Sequence, residues 1–271
     1  PVLIGTPLTQ RGCCHLLGPP GNAYHEGSHV DREAIMQRSL ELQELPYLHA
    51  SAAGVADALA LAVYAGHPLV VRGMTADWMS LLAPKNLAGL FGDREIPVAQ
   101  LKGSRSQPNF RSRHMTLTTF FETALETAEV YLQQLPVMEH FHELADLGLP
   151  INGPDLLQEA LGASALVTCT LFYGAAGIQT SLHFDRGDFA TDGAEVKSSI
   201  DNFFLQVAGR KRFRLYRPCD HDRLYPRGAA DPQRAPHVSQ IHDTDGSDVS
   251  EQFPCFKEAK MRRFEVTLEA N

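Results

Sequence analysis

The chain lacks most of the features that would place it outside a cell or in a membrane. Its five cysteines, Cys13, Cys14, Cys169, Cys219 and Cys255, are odd in number and form no Cys-x-x-C pair. That argues against a disulfide framework and a thiolate zinc site, and fits a reducing intracellular compartment, cytoplasmic or nuclear. No apolar run approaches the ~20 residues a membrane span needs, so no membrane partner is expected, and nothing near the N-terminus reads as a signal peptide. Positive charge is scarce as well: 24 Lys and Arg face 32 Asp and Glu, for a formal charge of −8. Such acidity disfavours a partner held mainly through phosphates, which needs concentrated positive charge. There is no internal repeat, and the opening on Pro1 rather than Met implies a missing or processed N-terminus.

What is present is ordinary for a globular protein: 271 residues, 44% hydrophobic and 21% charged, enough to bury a core. Residues 1 to about 30 are rich in Gly, Pro and His around Gly18-Pro19-Pro20-Gly21 and read as a loose leader. Asp31 is placed to cap a helix over Arg32–Leu45 that stops at Pro46. Val55–Ala65 reads as a helix ended by Gly66 and Pro68, and Leu69–Val71 as a buried strand. Trp78 and Leu81–Leu82 mark a helical patch, Ile96–Leu101 and Val130–Leu132 two strands, and Thr119-x-x-Glu122 a capping box. From about Ala165 the character changes. Leu166–Tyr173, Ile178–Phe184, Phe203–Val207 and Phe213–Tyr216 are short β runs, the last two joined at Gly209-Arg210 as a hairpin, and Arg262–Leu268 alternates. Short strands joined by turns predict a sandwich or jelly roll.

The chemistry centres on His183-Phe184-Asp185. Residues two apart on a strand project to one face, so an imidazole and a carboxylate would aim at one point. That is two thirds of the two-His, one-carboxylate triad of non-haem iron(II) oxygenases. The motif alone is weak: 12 His and 16 Asp in 271 residues yield about one His-x-Asp by chance. His29-Val30-Asp31 is another match, in the leader, and receives no role. Further on, alternation sets Lys211 with Phe213 and Leu215 on one face and Arg212, Arg214 and Tyr216 on the other. A lysine facing inward needs an anion, whether a bound carboxylate ligand or a structural Asp or Glu.

The stretch from Thr180-Ser-Leu-His183-Phe-Asp185 through Asn202-Phe-Phe-Leu-Gln-Val-Ala-Gly209-Arg-Lys211 to Pro218 resembles the JmjC oxygenases of the cupin superfamily. The likeness is to the branch that holds protein asparaginyl hydroxylases and tRNA wybutosine hydroxylases. Gly66–Gly73 with Trp78, Glu139–Pro150, and the tail Phe253–Lys257 with Phe264–Ala270 extend it over about residues 60 to 271. The resemblance implies a mainly β chain with flanking helices, a double-stranded β-helix (jelly roll, cupin) preceded by an α/β N-terminal part. It divides the chain into a leader and helix (1–50), the α/β part (51–160) and the jelly-roll core (161–271). It makes His183 and Asp185 iron(II) ligands, has Lys211 hold the distal carboxylate of 2-oxoglutarate, and sets Thr180 and Asn202 beside the same co-substrate. The implied reaction is hydroxylation of a substrate coupled to decarboxylation of 2-oxoglutarate to succinate and CO2.

Two departures stand out. Arg186–Asp201 is an insertion between Asp185 and Asn202, read either as a loop at the mouth of the site or as a solvated excursion. The family's final ligand histidine follows a motif due where the chain ends, at Glu269–Asn271, so the last strands are expected to be missing and metal binding and turnover to be weak. His221, His237 and His242 lie in a Pro/Asp-rich stretch and are poor substitutes. His114, His140 and His142 read as satisfied side chains, and Arg72 and Tyr173 as either pocket lining or packing. The basic cluster Arg210, Lys211, Arg212, Arg214 and Arg217 reads as an RNA contact or as an outward strand face. Three functions are therefore carried forward: a hydroxylase of protein or peptide side chains, a tRNA-modifying hydroxylase, and a non-catalytic cupin scaffold. Histone demethylation ranks lower, since no chromatin-reading module is visible, and the oligomeric state stays open.

Overall fold

Residues 2–5, 47–74, 77–101, 111–127, 129–150, 153–162, 168–191, 194–199, 201–227, 238–246 and 248–270 are described in the computed structural model. The helix expected over Arg32–Leu45 lies outside them. In chain order the first elements are β1 (Val2–Gly5), β2 (Tyr47–His49), α1 (Val55–Ala65) and β3 (Leu69–Arg72). Gly54 and Gly66, at φ 72° and 71°, bound α1 in a conformation that costs glycine nothing. Val55, Leu59 and Ala62, spaced for one helical face, are buried.

There follow a 3-10 segment (Asp77–Leu82), α2 (Pro84–Phe91), β4 (Glu95–Gln100), β5 (Arg111–Thr116), α3 (Leu117–Thr127) and β6 (Val130–Pro136). The start of α3 is capped three residues earlier than its sequence suggests: Thr116 Oγ1 accepts the Thr119 N–H at 3.2 Å, and Thr119 lies inside the first turn. The chain continues through α4 (Val137–His140), α5 (Asp155–Leu161), β7 (Thr170–Gly174), β8 (Arg186–Thr191), β9 (Ala194–Ser199), β10 (Asn202–Leu205) and β11 (Arg210–Leu215). It closes with a 3-10 segment (Pro218–Leu224), α6 (Val249–Gln252), α7 (Phe256–Met261) and β12 (Phe264–Glu269).

The strands form sheets in the orders β10-β1-β3-β2 and β5-β4-β6-β7, with two further pairs, β8–β9 and β11–β12. Only β2–β3 is parallel among these pairings. The first sheet is covered on both faces, which is why β3 is buried at Leu69, Val70 and Val71 in succession. Leu69 and Val71 pack with α1, with Leu156 and Ala160 of α5, and with Phe203 and Leu205 of β10. Val70 faces the other way, onto Phe264, Val266 and Leu268 of β12 and Phe213 and Leu215 of β11. The second sheet has its own core of Ile96, Val98, Leu132 and Leu135 against Leu87 of α2 and Leu117 and Phe120 of α3. The molecule is mainly β, in antiparallel sheets with flanking helices, compatible with a jelly roll.

Four local expectations are corrected. Val2–Gly5, read as leader, is a strand between β3 and β10, because long-range pairing on both edges satisfies its backbone. β10 and β11 are not a hairpin. β10 pairs with β1 and β11 with β12, and the Phe204 and Phe213 rings meet at 4.9 Å across the layers, so turning at Gly209 buries both inward faces against each other. Ile178–Phe184 is extended chain pinned by a single bridge from His183 to Val238 rather than a ladder. The insertion after Asp185 is a hairpin, β8–β9, paired from Arg186↔Ser199 to Thr191↔Ala194. In the sequence, Asp192-Gly193 is a two-residue turn signal that a loop reading overlooks.

Arg94, just before β4, ties the second sheet to the segment after α4. Its two terminal nitrogens bond the Glu143 carboxylate at 2.9 and 2.6 Å, one of them also meets the His140 carbonyl, and the guanidinium lies 4.7 Å from the Phe91 ring centroid. The hydrogen bonds from Arg94 are the main cause that holds the Glu143 carboxyl down at about 2.

Two outcomes test this arrangement. Val266 is buried on β12 and Thr267 points outward. Val266→Asp is expected to cost several kcal/mol, through a buried unpaired carboxylate, and Thr267→Asp no more than about 0.5 kcal/mol, in urea titrations. Because the folded-state carboxyl of Glu143 titrates below its ordinary range, its contribution is full at neutral pH and fades as pH falls from about 4.5 toward about 2. Melting temperatures of wild type and Glu143→Gln should therefore differ most above pH 5 and converge in acid.

Candidate metal and co-substrate site

The extended segment Thr180–Asp185 is held from the side: besides the His183–Val238 bridge, the Ser239 N–H donates to the Leu182 carbonyl at 2.8 Å. With that restraint the i, i+2 logic holds without a full ladder. His183 Nε2 and Asp185 Oδ1 stand 3.5 Å apart, each side chain about one-third exposed (34% and 32%). Each is oriented by a second group. His183 Nδ1 lies 2.6 Å from the Ser181 carbonyl, which only accepts, so Nδ1 carries a proton and the lone pair of the neutral ring sits on Nε2. Asn202 Nδ2 donates to Asp185 Oδ2, leaving Oδ1 toward His183. The bond with Asp185 raises the His183 pKa, and the charge of Lys211 acts in the opposite sense.

The hairpin insertion explains how Asp185 and Asn202 meet. β8 and β9 pair back to their roots, so an excursion of Arg186–Asp201 returns the chain to its starting point.

Lys211 turns inward from β11, in register with Leu268 of β12. Its ammonium lies 5.4 Å from the Phe172 ring centroid and 5.1 Å from those of Phe204 and Phe213. Among the described residues no carboxylate stands at ion-pair distance from it, and burial lowers its pKa. Thr180 is exposed, and its hydroxyl is hydrogen-bonded to Tyr131, a phenol whose pKa is raised by burial. Tyr131 was not singled out from the sequence, because nothing local to β6 marks a tyrosine whose partner is 49 positions away.

The donor set can be tested against the iron(II) that the family likeness implies. Two ligands cis to each other at about 2.1 Å from one ion lie roughly 3 Å apart, close to the observed separation. An imidazole with its Nδ1 proton on a carbonyl and a carboxylate with one oxygen on an amide are prepared ligands. His183 and Asp185 thus fit two positions; among the described residues no group of three His, Cys, Asp or Glu converges. His221 packs against the ring of Phe184 at 5.6 Å and His242 is exposed, while His237 lies outside the described residues.

Other candidates resolve as packing. Tyr173 donates to the Leu82 carbonyl and sits edge-on to Phe121 at 5.3 Å. The Arg72 guanidinium lies 4.3 Å from the Tyr47 ring centroid. On the outward face of β11, Arg212 and Arg214 meet Glu265 at 3.6 and 3.4 Å, and Arg214 also meets Asp245. Within the positive cluster, Arg212 and Arg214 are therefore matched by acidic neighbours.

A family model described as a cupin-like domain matches residues 57–271. The chain belongs to the cupin-like family. Its curated relatives place it among cupin-like domains of the JmjC type. Lysine-specific demethylase 8 of Xenopus tropicalis is 24% identical over 198 residues, covering 71% of this chain and 40% of that protein. Lysine-specific demethylase JMJ30 of Arabidopsis thaliana is 27% identical over 169 residues, 59% of this chain and 35% of the relative. tRNA wybutosine-synthesizing protein 5 of Gallus gallus is 35% identical over 96 residues, 35% of this chain and 23% of the relative. The cupin-like chain thus spans well under half the length of these relatives. No described helix is long and apolar enough to cross a membrane.

Replacing Tyr131 by Phe removes the bond to Thr180 and is expected to lower the unfolding free energy by about 0.5–1.5 kcal/mol, measured by urea titration.

Proposed function

We propose that this domain is an iron(II)- and 2-oxoglutarate-dependent oxygenase that hydroxylates a side chain of a protein or peptide. The observation that carries the reading is one arrangement: His183 Nε2 and Asp185 Oδ1 meet at 3.5 Å beside a lysine whose charge His183 feels and which has no carboxylate of its own among the described residues. In this reading His183 and Asp185 hold the iron. Lys211 takes the distal carboxylate of 2-oxoglutarate, with the Thr180 hydroxyl and the Asn202 amide alongside. The bound metal would supply the redox chemistry by which dioxygen and 2-oxoglutarate yield succinate, CO2 and a hydroxyl group on the substrate.

The chain's own contribution is positional. The Ser181 carbonyl keeps the His183 proton on Nδ1 and the lone pair of the neutral ring on Nε2, while Asn202 holds Asp185 to one presenting oxygen. Lys211 offers a charge-assisted contact that an uncharged analogue of the co-substrate cannot use. The protein-substrate reading is supported by two relatives named lysine-specific demethylases, which also return lysine side chains to the candidates. The tRNA reading is favoured by the wybutosine-synthesizing relative, and the paired state of Arg212 and Arg214 weighs against it.

Calorimetric titration with Mn(II), a redox-quiet stand-in, tests the site. His183→Ala and Asp185→Ala are each expected to weaken Mn(II) binding at least tenfold, and Lys211→Met to weaken 2-oxoglutarate binding to the Mn(II)-loaded chain by ~10-fold or more. Mn(II) binding indifferent to both ligand substitutions would overturn the reading. Iron-dependent succinate release, compared with His183→Ala, separates an oxygenase from a scaffold, and stimulation by peptide or by tRNA separates the two substrate classes.

A further inference from the structure

Lys211 stands where three separate β layers meet. Phe172 comes from β7 of the β5-β4-β6-β7 sheet, Phe204 from β10 of the β10-β1-β3-β2 sheet, and Phe213 from β11 of the β11–β12 pair. Their ring centroids lie 5.4, 5.1 and 5.1 Å from the ammonium. The rings also touch one another, Phe204 with Phe213 at 4.9 Å and Phe172 with Phe204 at 6.4 Å. A cation within about 6 Å of a ring face is attracted by its quadrupole, and more strongly where water is excluded.

We infer that Phe172, Phe204 and Phe213 are positioning residues that cage the Lys211 ammonium and hold it ready for the distal carboxylate of the co-substrate. The inference rests on the proposed reading of the site. Ordinarily a structural Asp or Glu would neutralise an inward lysine, and a bound carboxylate would then have to displace it. Rings stabilise the cation without occupying its hydrogen-bonding positions. An incoming carboxylate therefore meets a charge that is already partly desolvated and held in place, with no internal ion pair to break.

The test compares binding of 2-oxoglutarate with binding of 2-oxovalerate, which has the same 2-oxo acid end and a methyl in place of the distal carboxylate. Both are titrated calorimetrically into the Mn(II)-loaded chain. Phe172→Leu, Phe204→Leu and Phe213→Leu are each expected to weaken 2-oxoglutarate about three- to thirtyfold, leaving 2-oxovalerate and Mn(II) affinities within twofold. Phe204→Tyr, which keeps the ring face, should restore the 2-oxoglutarate affinity to within twofold of wild type. Equal weakening of both acids, or weakening of neither, would show the rings to be packing alone and overturn the cage. Unchanged 2-oxoglutarate binding in Lys211→Met would instead overturn the co-substrate assignment of the lysine, a separate failure from that of the rings. Melting temperatures of the leucine variants confirm that the titrated chains are folded.

Discussion

The demand that an inward-facing, half-buried ammonium makes on its surroundings organises this domain. A lysine on an inward strand face, flanked by Phe213 and Leu215, is costly to desolvate unless something stabilises its charge. Here three rings from three layers do so, and their mutual contacts are also contacts between sheets. The alternation of β12, with Phe264, Val266 and Leu268 inward, backs the same face and keeps β11 in register. The polar centre and the apolar core are thus not separate parts: the packing that joins the layers also fixes where the positive charge stands.

A second constraint acts on the metal-seeking pair. His183 and Asp185 do not sit on a regular strand, yet they converge because each carries its own restraint, a carbonyl for the imidazole and an amide for the carboxylate. One restraint is two residues away in sequence and the other seventeen. The distant one is brought near by the pairing of β8 with β9.

Much of this was legible in the residues themselves. The alternation of Lys211, Phe213 and Leu215, the helix bounded by Gly66 and the strand at Leu69–Val71 follow from local periodicity and from glycine at positive φ. The spacing of His183 and Asp185 was readable too, although their roles rest on proposal. What escaped reading depends on partners far along the chain. Val2–Gly5 is a strand only because β3 and β10 accept it. The turn at Gly209 looks the same whether two strands lie side by side or face to face; the burial of Phe204 against Phe213 chooses between them. Thr119 carries the capping-box pattern, but Thr116 supplies the cap, and the bond between Tyr131 and Thr180 has no local signature.

The hairpin rooted at Arg186 and Ser199 closes on itself before the chain reaches Asn202. An appendage joined at a paired base is mechanically insulated from that base, and lengthening such an excursion costs only about 0.6 kcal/mol per doubling. The segment beside Asp185 is therefore a natural grafting point. Sequences of quite different length can be exchanged there, and new surface added at the rim, without retuning the geometry of the groups beneath.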